Sequence, residues 1–167
     1  TTPTISGTSE ANAKVRIYID GVLKDSVTAN GSGAWTYTST VLTQASHTVY
    51  ATATDGVGNT SSASTTNTFT VDTTAPSAPV VSAPVTGTTV ATTTPTFSGT
   101  AEANSKVRIY VDNVLVDSTT ANGSGVWSDV SAALAQGSHT VKVTATDAAG
   151  NTSAFSNIPT FTVDTVA

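Results

Sequence analysis

Lys14-Val15-Arg16-Ile17-Tyr18-Ile19-Asp20-Gly21 is the stretch that decides the fold. Val15, Ile17 and Ile19 alternate with Arg16, Tyr18 and Asp20, a period of two that puts every second side chain on one face of a strand and leaves the other face wet. Asp20-Gly21 then offers the positive backbone torsions that a tight hairpin turn prefers, so the chain is expected to fold back over Val22 to Ala29. The same pattern returns at Lys106 to Asp112, followed by Asn113 and a return strand over Val114 to Ala121.

Outward from this hairpin the repetition continues. Thr1 to Ala75 reappears without a gap as Thr93 to Ala167, at a constant offset of 92, with two thirds of the aligned pairs identical. Asn30-Gly31-Ser32-Gly33 and its twin Asn122 to Gly125 are turns, and Trp35 or Trp127 opens the strand that follows. His47 to Thr54 and His139 to Thr146 alternate again, and Thr68 to Asp72 and Thr160 to Asp164 close each copy. No segment holds helical spacing over a useful length, so the fold class is all-β.

In the longer second copy the strands are predicted at Pro79 to Val85, Thr94 to Thr100, Lys106 to Asp112, Val114 to Thr120, Val126 to Ser131, His139 to Thr146 and Ile158 to Asp164. About seven short antiparallel strands in roughly 90 residues fit a two-sheet sandwich. The expected domains are therefore 1–75 and 76–167. The first copy has no counterpart of Ser77 to Thr92, so its first strand is expected to be missing, leaving an edge that is open or covered by a neighbour.

Composition excludes several functions. There is no cysteine, hence no disulfide framework and no thiolate chemistry. Eleven carboxylates against six Lys and Arg give a net charge of −5, without the basic stripe that nucleic-acid binding needs. Apolar runs are only a few residues long, so no membrane insertion is expected. Ser- and Thr-rich acidic composition without cysteine points to an extracellular, secreted setting.

Residues with possible chemistry are better explained by architecture. His47 and His139 recur with no second histidine nearby and read as packed side chains rather than ligands or bases. Trp35 and Trp127 read as core anchors. Tyr18, Arg16, Tyr110 and Arg108 share the outward face of one strand. No nucleophile-elbow motif accompanies the many serines, and no carboxylate pair stands apart from turns and strand ends, so no enzyme is expected.

The combination PTISGTSEANAKV, DGVLKDS, NGSGAWTYT, SHTVYATATDGVGNTS and FTVDTTAP resembles the tandem bacterial immunoglobulin-like domains of large surface adhesins and biofilm-associated proteins. The resemblance covers nearly the whole chain in both copies. It implies two tandem immunoglobulin-like β-sandwiches in an extender region on the bacterial cell surface, whose partners are neighbouring repeats of the same chain and in which Ca²⁺ commonly binds near domain junctions. A ligand- or carbohydrate-binding module and an accessory domain of a secreted hydrolase are the alternatives.

In a sandwich of this connectivity, the loop between the second and third strands and the loop between the sixth and seventh lie at the end where the chain enters. Asp72, Glu102 and Asp147 are thereby candidates to meet at the junction, with Asn104 or Asn151, carbonyls and water completing a shell of hard oxygen donors suited to Ca²⁺. Glu10, Asn12, Asp55 and Asn59 repeat the set in the first copy, and Asp164 stands ready for a further domain. The competing expectation is plain turn chemistry, with Asp-x-x-Gly-Asn as a turn and Glu102 paired with Lys106.

Overall fold

A computed structural model describes residues 1–166; the last residue of the repeat, Ala167, lies outside the described residues. The chain divides into two compact units, Thr1–Thr73 and Thr74–Ala167. Unit 1 contains β1 (Thr4–Thr8), β2 (Lys14–Ile19), β3 (Val22–Thr28), β4 (Ala34–Thr38), β5 (Ala45–Thr54) and β6 (Asn67–Val71). Unit 2 contains β7 (Val80–Ala83), β8 (Thr89–Val90), β9 (Thr96–Thr100), β10 (Lys106–Val111), β11 (Val114–Thr120), β12 (Val126–Val130), β13 (Gly137–Thr146) and β14 (Thr160–Val163). Each unit is a pair of sheets, and the fold is all-β.

In unit 1, β1 pairs with β4, and the facing sheet runs β3-β2-β5-β6. In unit 2 the two sheets are β12-β9-β7 and β11-β10-β13-β14-β8. The quoted hairpin forms as expected. Both of its central residues have positive φ in each copy: 53° and 74° at Asp20 and Gly21, 49° and 69° at Asp112 and Asn113. A register shift falls at the same place in both hairpins, between Ile17 and Tyr18 and between Ile109 and Tyr110.

The period of two becomes the core. Val15, Ile17 and Ile19 are buried against Tyr37, Leu42 and Val71, and Val107, Ile109 and Val111 against Phe97, Trp127, Val141, Val143 and Phe161. At roughly 1.5–3 kcal/mol per buried large apolar side chain, these inward rows are the main favourable term in each unit.

Two expectations need correction. Unit 2 has eight strands, one more than expected: the strand predicted at Pro79 to Val85 is β7, which ends at Ala83, and the chain then crosses to the other sheet to form β8, parallel to β14. Pro84 has no N–H to give to a ladder, and a two-residue strand is too short to show alternation. Trp35 is only half-buried, unlike Trp127 at 1% exposure, because nothing comparable to β7 packs over unit 1 among the described residues.

Candidate functional site

The candidate ligands lie on turns held by bonds that the sequence repeats. Glu10–Ala13 is closed by the Ala13 N–H to the Glu10 carbonyl (3.2 Å), and Glu102–Ser105 by both the N–H (3.1 Å) and the hydroxyl (2.7 Å) of Ser105 to the Glu102 carbonyl. Asn12 and Asn104 occupy the left-handed region at φ 62° and 61°, where asparagine is among the few side chains tolerated. Their identity thus has a backbone reason. This turn is locked to the Asn-Gly-Ser-Gly turn through Ser9 N–H to Gly33 O (2.9 Å) in unit 1 and Ala101 N–H to Gly125 O (2.8 Å) in unit 2.

Asp55 and Asp147 cap their own turns. Asp147 Oδ1 accepts the N–H of Asn151 and Oδ2 accepts its side-chain amide, both at 2.8 Å. Asp55 does the same with Asn59 and also accepts the Val57 N–H at 3.0 Å. The asparagine side-chain bond leads the causes that hold each carboxyl below its usual range, so both stay ionised into acid.

Strand register brings the two turns of each unit to one end. Lys106 pairs with Thr146, so the turns beginning at Glu102 and Asp147 flank one edge-on pair of strand ends; Lys14 and Thr54 do the same for Glu10 and Asp55. Val80 pairs with Thr100, so β7 starts at that end too, and Ser77, Ala78, Thr100, Ala101 and Glu102 line a shallow recess of about 320 Å³. Asp72 follows β6 at the far end of unit 1, and Asp164 follows β14, where its Oδ1 accepts the Val166 N–H at 3.1 Å. Within each unit, no three of the described His, Asp and Glu side chains gather as a ligand set.

A second constellation escaped the sequence reading. Asp20 Oδ2 lies 2.7 Å from His47 Nδ1 and its Oδ1 accepts the Thr48 N–H at 2.9 Å; Asp112, His139 and Thr140 repeat this at 2.7 and 2.8 Å. The other ring nitrogen faces a carbonyl, Thr43 at 2.9 Å and Ala135 at 3.0 Å. Both nitrogens of each ring face acceptors, and only imidazolium donates from both. The Thr43 carbonyl and then Asp20 raise the pKa of His47, and Asp112 and then the Ala135 carbonyl raise that of His139. His47 lowers the pKa of Asp20. Burial works against the Asp112 carboxylate, but the bonds from His139 and Thr140 outweigh it and bring that pKa down as well. The signal was present as a paired Asp and His 27 residues apart in both copies.

The outward tyrosine face is also packed. Tyr18 stacks on Tyr50, with centroids 4.8 Å apart and planes at 6°. Where unit 2 has Lys142 for Tyr50, Phe155 replaces Ala63, meets Tyr110 edge-on at 5.3 Å, and lies 4.2 Å from the Lys142 ammonium. Arg16 and Arg108 donate to Thr54 (2.9 Å) and Thr146 (2.7 Å).

Residues 1–73 and 85–165 both match the family described as Bacterial Ig-like domain. The chain belongs to that family. No curated protein sequence matches this bacterial Ig-like chain. Among solved structures, the fibronectin(III)-like modules of Clostridium thermocellum CbhA are similar over 96% of this chain and 85% of theirs, with 17% identity and a TM-score of 0.62, a likeness of fold. A biofilm-associated protein BSP domain matches at 19% identity and TM-score 0.42, over 98% of this chain and 28% of that one. The D0-D1 domain of intimin matches at 17% identity and TM-score 0.35, over 96% and 90%.

Proposed function

We propose that this chain is a spacer segment of a bacterial cell-surface or secreted adhesin, with Ca²⁺ at the junction between successive units. The repetition carries the reading: the same bacterial Ig-like unit occurs twice in one chain, with the turns of its N-terminal end kept in both copies. End-to-end repetition lengthens a chain, and each unit already holds its own core. The burial of Trp127 and the packing of the tyrosine face favour a scaffold over a stacking platform for sugars.

For the ion, Glu102 and Asp147 sit on turns at the end where the chain enters unit 2, and Asp72 directly follows the last strand of unit 1. Asn104, Asn151 and backbone carbonyls add neutral oxygens, so the donors are all of the hard kind that Ca²⁺ takes six to eight at a time. Glu10, Asn12, Asp55 and Asn59 would serve the preceding junction in the same way, and Asp164 the following one. Extracellular modules bind Ca²⁺ with dissociation constants of about 10⁻⁴ to 10⁻³ M, so 1 to 10 mM ion would add about 0.4 to 2.7 kcal/mol per site. That is enough to stiffen a hinge without being needed for folding.

The test compares melting temperature and small-angle scattering in millimolar Ca²⁺ and in chelator. A higher melting temperature and longer, stiffer dimensions with Ca²⁺ are expected, and Asp147→Ala should remove most of that difference while both units stay folded. Superimposable curves in the two buffers would sink the ion.

A further inference from the structure

The end of each unit opposite its acidic turns carries the histidine clasp, and there the clasp meets the residues that follow the last strand. The connection is the segment between the fourth and fifth strands of unit 1, residues 39–44, and its counterpart 131–136 in unit 2, which lie outside the strands. Leu42 and Leu134 pin these segments to the cores. Two adjacent residues tie each segment outward. In unit 1, His47 Nε2 reaches the Thr43 carbonyl at 2.9 Å, and Gln44 Oε1 accepts the Thr73 hydroxyl at 2.8 Å. In unit 2, His139 Nε2 reaches the Ala135 carbonyl at 3.0 Å, Gln136 Oε1 accepts the Thr165 N–H at 3.1 Å, and the Gln136 amide donates to the Thr165 hydroxyl. Thr73 and Thr165 each stand two residues beyond the final strand, which ends at Val71 or Val163.

The state of the ring decides whether the segment is held. Imidazolium donates from both nitrogens and so bridges Asp20 to the Thr43 carbonyl, or Asp112 to that of Ala135. Neutral imidazole has one N–H. A carboxylate is the stronger acceptor, so that N–H stays on Nδ1, and Nε2 turns a lone pair toward a carbonyl oxygen about 3 Å away. Two acceptors at that distance repel each other, and the carbonyl moves off with its segment.

We propose that the histidine of each unit is a pH-sensitive latch on the chain leaving that unit: as imidazolium it fixes the segment whose glutamine grips Thr73 or Thr165, and on losing its proton it releases that grip. The latch needs no bound ion. The charged groups facing the rings are Asp20 and, from β3, Lys24 in unit 1, and Asp112 in unit 2, where Val116 takes the place of Lys24. Lys142 on β13 is drawn to Asn113 at 2.6 Å, and β6 and β14 present Phe69 and Phe161, with ring centroids 5.7 and 5.8 Å from the imidazoles. Asp72 and Asp164 stand one residue before the gripped threonines. Lys24 works against the imidazolium of His47, whereas Asp20 and the Thr43 carbonyl favour it.

The test is an NMR titration of the intact chain in chelator, following both histidine rings, the Gln44 and Gln136 side-chain amides, and the backbone order of Thr73 and Thr165. Within each unit the glutamine and threonine signals should move with the same midpoint as the ring, and the threonine should become more mobile on the alkaline side. Asp112→Asn should lower the midpoint of His139 by about one pH unit or more, a tenfold or greater change in proton affinity, and carry Gln136 and Thr165 with it while unit 1 stays unchanged. Lys24→Val, which places in unit 1 the residue that unit 2 already has, should raise the midpoint of His47 and take Gln44 and Thr73 along. Glutamine and threonine signals that stay flat through the ring titration, or that keep their midpoint when a variant moves that of the ring, would overturn the proposal.

Discussion

Replacing Asn157 by alanine tests whether β7 is held by sheet pairing alone or by a side chain that substitutes for a strand. Asn157 supplies an acceptor to the N–H and a donor to the C=O of Val81, a residue only 4% exposed. A buried backbone group left without its partner costs about 1–3 kcal/mol, so two such groups set an upper bound near 6. Asn157 itself is exposed, so water can follow the truncated side chain, and about 2 kcal/mol is the reasoned cost. For a unit of this size, 1 kcal/mol shifts the melting temperature by roughly 4–8 °C, which puts the loss at about 8–16 °C. The assay is calorimetry alongside Trp127 fluorescence, which reports on unit 2. Thr65→Ala, at the aligned position in unit 1, is the internal control and should change little. Equal small shifts, under about 2 °C in both variants, would refute the clasp.

Three further outcomes are expected. Stability should be highest between about pH 4 and 6.5: the raised histidines contribute fully below their unfolded value and lose it as pH rises through the folded one, while the lowered Asp20 and Asp112 lose theirs as pH falls. A melting profile from pH 3 to 9 should show both limbs, and the alkaline one should flatten in a His47→Phe, His139→Phe double variant. Asp129 stands where unit 1 has the core residue Tyr37; its Oδ2 is buried without a partner, and burial followed by the charge of Asp117 raises its pKa. Asp129→Val should therefore stabilise unit 2 by about 1 kcal/mol, measured by urea unfolding, with the gain growing as pH rises from 3 to 6. Gly125→Ala should cost about 2 kcal/mol or more, because φ is 77° and the new Cβ would stand 2.5 Å from the Ala101 carbonyl, whereas Gly123→Ala meets nothing within 4 Å and should be near neutral on the same assay.

Most of the strands were legible because the code for them is local. Alternation over Lys14 to Ile19 and positive-φ residues at Asp20-Gly21 act within a few residues and need no partner to be recognised. The substitutions between copies were harder to read. Tyr50 gives way to Lys142 at the aligned position, and the change is matched by Ala63 against Phe155, which restores an aromatic contact. Likewise Ile5 faces Tyr37 across β1 and β4 where Phe97 faces Asp129 across β9 and β12, exchanging bulk between neighbouring strands. Each pair is adjacent only after strands far apart in the chain have met.

The sequence by itself determined the repeat, the all-β class, the hairpin turns and the end of each unit at which the acidic turns gather, since strand direction follows from strand order. Tertiary structure alone decided that β8 crosses to pair in parallel with β14, that Asp20 and Asp112 clasp His47 and His139, and that Trp35 is half-buried while Trp127 is sealed. The physical reason is the same in each case. Period and torsion are properties of a segment, but a two-residue strand, a carboxylate–imidazole contact across 27 residues and the burial of an indole depend on what a distant strand brings alongside.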